Sequence, residues 1–222
     1  MRKLAYVDPV RLAAGFAVVI AVFGVLGAAN VITDGDVAFF DLDAEGKLPA
    51  FVAAAILLCA AVGALLACLE TSERRWPWAV LAVLFSVMAV DEAFRVHEAL
   101  EDETSTDWQI LYLPLMAAGA VAWFALLGRL RRLRLPALLL FAGAVMWAVA
   151  GVLESIQWTG PRETERAVEG YGILMGIEEL LEMCGSACFA LAPLLAVRAW
   201  LGIGTEAAPA ADAPRAPAGV GG

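Results

Sequence analysis

Histidine is almost missing from this sequence: one residue, His97, in 222. One imidazole cannot supply bis-histidine haem ligation within a chain. No Glu-x-x-His occurs, which excludes the di-iron four-helix pattern, built on two such pairs. Four cysteines are too few for a disulfide-stapled mini-protein. Charge is scarce as well, with 18% Asp, Glu, Lys and Arg against about 25% in a typical soluble domain. There is no surplus of cations. The net charge of −9 would be repelled by phosphate backbones, so nucleic acid is excluded as a partner. There is no Gly-rich phosphate loop, no Gly-x-Ser-x-Gly elbow and no aspartate-rich prenyl-diphosphate motif.

Apolar side chains fill the space. They make up 62% of the chain, against about 45–50% in soluble domains, and the mean hydropathy is +0.78. That excludes a disordered chain and points to the bilayer. A hydrocarbon core about 30 Å thick takes roughly 20 apolar residues per helical span. Six stretches qualify, at 10–32, 49–69, 77–100, 108–128, 136–158 and 170–200. The fold class expected is all-α: a polytopic integral membrane protein, a bundle of six transmembrane helices in residues 1–203. Asp8-Pro9 supplies an N-cap and a first-turn proline. Pro49, Pro77 and Pro136 also stand where a missing N–H costs nothing. Pro114 and Pro193 lie inside spans four and six and predict kinks. Gly15, Gly24, Gly27, Gly63, Gly119, Gly143 and Gly151 are small enough for close helix contact.

Orientation follows the cations. Eleven of the fifteen Lys and Arg fall on one side: Arg2, Lys3 and Arg11, then Arg74 and Arg75, then Arg129, Arg131, Arg132 and Arg134, then Arg198 and Arg215. Both termini are therefore expected to be cytoplasmic, in a multi-pass protein of the cell membrane. The loops expected outside are acidic, with Asp34, Asp36, Asp41, Asp43 and Glu45 in the first. Trp76, Trp78, Trp108, Trp158 and Trp200 fall at the predicted interfaces, as an aromatic belt requires. Residues 1–29 have some features of a signal peptide, but the apolar run of about 18 residues exceeds the usual 7–15, which favours a retained first span. The stretch 204–222 is rich in Ala, Pro and Gly and cannot bury enough to offset ordering entropy, so a disordered cytoplasmic tail is expected.

Ionisable groups are concentrated in three spans. Span three carries Asp91, Glu92, Arg95, His97 and Glu98; span five ends with Glu154; span six carries Glu178, Glu179 and Glu182. Intramembrane charge is costly and marks function by default. At 1.5 Å of rise per residue, Asp91 and Glu154 lie roughly 22 and 27 Å up their spans, and Glu178 and Glu182 roughly 10 and 17 Å below the outer start of theirs. Three separate segments thus bring carboxyls to similar depth in the outer half. Seven carboxyls face one Arg and one His. Even with His97 protonated, five negatives stay uncompensated, which a low dielectric does not tolerate. Protonation, a bound cation or a water-filled cavity would resolve this.

The expected site is a carboxylate/His cation site with Glu92, His97, Glu98, Glu154, Glu178 and Glu182 as ligand candidates. Its occupant would be a divalent metal ion (Mn, Fe, Zn or Ca). Asp91 and Arg95, one helical turn apart, are expected to form a structural ion pair, with Glu98 close by. A metal-dependent enzyme acting on a hydrophobic small molecule is the leading reading. A proton- or cation-coupled transporter and a non-catalytic scaffold are the alternatives.

Weaker signals stay outside that site. Asp41-Leu-Asp43-Ala-Glu45-Gly46 resembles the opening of a calcium loop, but its twelfth position is Val52 rather than a bidentate Glu, so a solvated acidic loop is the better account. Cys59, Cys68, Cys184 and Cys188 read as small apolar fillers. Arg129 to Arg134 read as a topology determinant that could also meet anionic head groups.

Overall fold

The computed structural model describes residues 7–33, 47–71, 75–104, 106, 108–159 and 166–203. The acidic first loop with its calcium-like segment, the extreme N-terminus and the 204–222 tail lie outside the described residues. Seven helices follow in order: α1 (Pro9–Ile32), α2 (Leu48–Glu70), α3 (Trp76–Phe94), α4 (Val96–Thr104), α5 (Trp108–Leu130), α6 (Arg134–Ile156) and α7 (Tyr171–Trp200). All but α4 are long and apolar enough to cross a membrane, so the chain is a multi-pass, all-helical membrane protein. Between α6 and α7 a two-residue antiparallel pair, β1 (Trp158–Thr159) with β2 (Arg166–Ala167), closes the connection.

The helix starts obey local chemistry. The Asp8 carboxylate accepts from Val10 N–H at 2.9 Å, with Pro9 in the first turn. Pro49 and Pro77 also occupy first turns. Both α5 and α7 remain continuous through Pro114 and Pro193.

Neighbouring helices run antiparallel, as cross-helix pairs show: Tyr112 of α5 reaches Asp91 of α3, Trp147 of α6 reaches Glu182 of α7, and Trp78 of α3 meets Trp200 of α7. The central element is α7, packed against α6, α2 and α1; α3 packs on α2 and α5. Peripheral α1 buries Phe16, Phe23, Gly27 and Asn30 and turns Val10, Val18, Val22, Val25 and Ile32 outward. Such an apolar exterior is what lipid solvates and water does not.

Close crossings depend on missing side chains. At the α6–α7 crossing, a Cβ on Gly143 would stand 2.9 Å from Gly185 O and 2.9 Å from the Phe189 ring. A Cβ on Gly185 would stand 3.0 Å from Gly143 O and 2.6 Å from Trp147. At the α2–α7 crossing, Gly63 faces Pro193 Cγ at 2.9 Å and Ala190 O at 3.2 Å. Gly119 faces Leu84 in the same way. Gly15 and Gly151, also expected to be contact glycines, instead meet open space.

Two further expectations are corrected. The third span does not run to residue 100. It stops at Phe94, because Arg95 adopts a left-handed conformation (φ 56°, ψ 44°) and α4 begins anew at Val96. Trp78 does not sit in an interfacial belt either. It is 1% exposed, packed edge-on to Trp200 with ring centroids 6.4 Å apart. Trp76 and Trp200 remain half-exposed.

Replacing Gly143 or Gly185 with Leu is expected to destabilise the bundle by about 1–3 kcal/mol, the usual penalty of overpacking. Gly15→Ala should be neutral or stabilising by up to about 1 kcal/mol, since only helix propensity changes. Unfolding of detergent-solubilised variants measures both. Equal effects at Gly143 and Gly15 would refute the close α6–α7 crossing.

Candidate functional site

The break at Arg95 organises the acidic end of the bundle. Asp91, 5% exposed at the end of α3, receives three hydrogen bonds. His97 N–H donates to its Oδ1 at 2.7 Å and Tyr112 OH to the same oxygen at 3.1 Å; His97 Nδ1 lies 3.0 Å from Oδ2. The Asp91 side chain thus caps the first turn of α4, orients the imidazole and ties α5 to α3. Trp108 completes the setting, its ring 5.6 Å from that of His97 and 5.9 Å from that of Tyr112.

The expected Asp91–Arg95 pair is not formed. Asp91 is taken by His97 and Tyr112, and Arg95 turns to Glu98, with both side chains substantially exposed. The left-handed turn sends the chain off the α3 axis, so the one-turn spacing no longer sets the pairing. An exposed pair of this kind contributes little to stability.

Below the Asp91–His97 pair, the bundle encloses a cavity of about 530 Å³. Glu92 of α3, Glu154 of α6 and Glu182 of α7 are among its lining residues. Glu182 interacts electrostatically with Glu92, Glu178, Glu154 and His97. The rest of the lining is apolar and aromatic, with Trp108, Trp123, Trp147, Phe85 and Phe189 among its rings. Among the described residues no Lys, Arg or His lines it. Trp147 is fixed by its own N–H, 3.2 Å from both Glu182 O and Ser186 Oγ, and by edge-on packing against Phe85 and Phe189.

The other expected ligands are placed differently. Glu178, buried, accepts a hydrogen bond from the buried side chain of Gln157 at the end of α6. Glu98 belongs to the exposed Arg95 pair. Among the described residues no three His, Cys, Asp or Glu are disposed to hold a metal ion. The set Glu92, His97, Glu98, Glu154, Glu178 and Glu182 therefore does not assemble as one metal centre. The break at Arg95 redirects Glu98, and Gln157 occupies Glu178. All four cysteines are free thiols. Sequence reasoning overlooked Tyr112 and Trp147. Tyr112 lies one turn into an otherwise apolar span, where a lone phenol has no periodic partner to reveal it.

Asp91→Ala would leave three donors without their acceptor, and a loss of roughly 3 kcal/mol of folding stability is expected. Tyr112→Phe removes a single bond and should cost about 1 kcal/mol. Unfolding in detergent compares the two, and an Asp91→Ala effect no larger than that of Tyr112→Phe would overturn this account of the junction.

No curated protein and no solved structure matches the chain. A family model described as a domain of unknown function (DUF8692) matches residues 11–197. That stretch runs from the first turn of α1 to the last turns of α7 and includes every residue of the cavity. The chain belongs to that DUF8692 family.

Proposed function

We propose that this is a cation-binding protein of the cell membrane, with both termini cytoplasmic and the acidic cavity in the outer half of the bilayer. One observation carries the reading: Glu92, Glu154 and Glu182, from three different helices, line a single cavity that, among the described residues, no Lys, Arg or His lines. Carboxylates at membrane depth are stable only when their charge is offset by partners, protons or a bound cation. The distribution of Lys and Arg supports the orientation.

The cation is an organic ammonium, or a metal ion (Mn, Fe, Zn or Ca) held by no more than two of these carboxylates, since no three among the described residues are disposed to ligate one. Catalysis on a hydrophobic substrate is a second reading, favoured by the Asp91–His97 pair. A carboxylate that fixes an imidazole at Nδ1 is the arrangement used to orient a proton-transferring histidine. A transporter finds less support, because the lining beyond the glutamates is mostly apolar, with Leu81, Leu84, Phe85 and Phe189 in it.

Thermal unfolding of nanodisc-held protein tests the reading. A metal or ammonium ion present at 100 times its dissociation constant should stabilise the wild type by about 2.7 kcal/mol. The combined Glu92→Gln, Glu154→Gln and Glu182→Gln variant should lose that response. If no cation stabilises the wild type while the triple variant is itself more stable, the carboxylates serve only helix packing and the proposal fails. A fluorescent protein fused after residue 222 should lie in the cytoplasm, as accessibility to an impermeant quencher would report. Quenching from outside would invert the orientation.

A further inference from the structure

The cavity is not sealed from the bilayer. Met116, Ala120 and Phe124 of α5 and Val145, Ala148 and Gly151 of α6 line it and are themselves exposed. Phe124 is 68% exposed and Val145 43%. The two helices are held together at the opposite end, where Trp123 N–H donates to Leu140 O at 2.8 Å and its ring stacks on Phe141 at 6.3 Å. Over their whole length α5 and α6 touch far less than α6 and α7 do, and a Cβ on Gly151 meets nothing within 4 Å. The gap between α5 and α6 is therefore a lateral opening at hydrocarbon depth.

Three features fix the chemistry of an occupant. The opening faces lipid, so what passes through it partitions into the bilayer. Most of the lining is apolar, and about 530 Å³ falls within the roughly 300–1,000 Å³ of small-molecule pockets. One end is acidic, and Trp108 and Trp147, whose aromatic rings attract cations, are part of the same lining. A neutral lipid would gain nothing from that end, and an anionic one would be repelled. A bare metal ion would gain nothing from the apolar length.

We propose that the cavity takes a lipophilic cation, an ammonium head on an apolar body, which moves in sideways from the bilayer between α5 and α6. Its head lies against Glu92, Glu154 and Glu182, and its tail lies along Met116, Phe124 and Val145. This rests on the reading of the acidic wall as a cation site and names the class of cation.

The test uses nanodisc-held full-length protein and radiolabelled dodecyltrimethylammonium, with empty nanodiscs subtracted. Saturable binding is expected, at least tenfold tighter than for tetramethylammonium or dodecanol, which carry head and tail alone. The Glu154→Gln/Glu182→Gln variant should bind at least tenfold more weakly. So should Gly151→Phe and, as a second filling variant, Ala148→Leu, each checked by thermal unfolding; they occupy the opening and leave the carboxylates intact. No saturable excess, or unchanged binding in both filling variants, overturns the proposal. If Mn²⁺ or tetramethylammonium stabilises the protein in a carboxylate-dependent way while dodecyltrimethylammonium does not bind, the cation site stands and this inference falls. If no cation of any size acts, both fall.

Discussion

Charge inside a low dielectric must be offset, and that constraint shapes the acidic end of this bundle. Each ionisable group there is either used by the fold or turned to the cavity. Asp91 is consumed by His97 and Tyr112. Glu178 is held by Gln157. Glu98 leaves with Arg95 to the exposed face. Glu92, Glu154 and Glu182 are left to line the cavity. Asp91 and Glu178 thus tie helices together, while Glu92, Glu154 and Glu182 give the cavity its acidic wall.

That division depends on backbone geometry. Gly143 and Gly185 let α6 and α7 approach closely enough for Trp147 to reach Glu182 O and Ser186. The resulting aromatic group with Phe85 and Phe189 forms the cavity's rigid side. Across from it, α5 and α6 are joined through Trp123, which bonds to Leu140 O and stacks on Phe141, and otherwise touch little. The cavity is therefore an outcome of unequal packing: tight where glycines face each other, open where Gly151 faces nothing.

Hydropathy made the six spans legible, because a bilayer demands about 20 apolar residues in a row and few other structures do. Helical rise placed acids of three segments at similar heights, and Glu92, Glu154 and Glu182 of those segments line the cavity. Finer pairings were not legible. At Arg95 the chain breaks without Gly or Pro, and nothing in its periodicity marks the spot. The cause is tertiary: the Asp91 carboxylate offers an acceptor to the N–H and ring of His97, six residues on. A non-glycine residue held in the left-handed region costs about 1–3 kcal/mol and persists only where its surroundings over-determine it. Trp78 shows the same limit. Its position near a span start suited a lipid interface, yet packing against Trp200 draws it inside. Likewise Gly15 and Gly143 look alike in sequence, and only the partner helix distinguishes them.

The break at Arg95 is also what closes the acidic end. Had α3 continued as a straight helix, Glu98 would have lain one and a half turns beyond Glu92 on a rod leaving the bundle, and Trp108 would not have been brought beside His97. Because the chain turns, α4 carries Glu101 back to Trp108 N–H at 2.7 Å, fixing the start of α5 above the cavity. The strained residue, the buried aspartate and the cavity's aromatic rim are consequently one device. Its strain is offset by the bonds Asp91 makes, and its effect is to hold His97 and Trp108 over the space where the three remaining glutamates face one another.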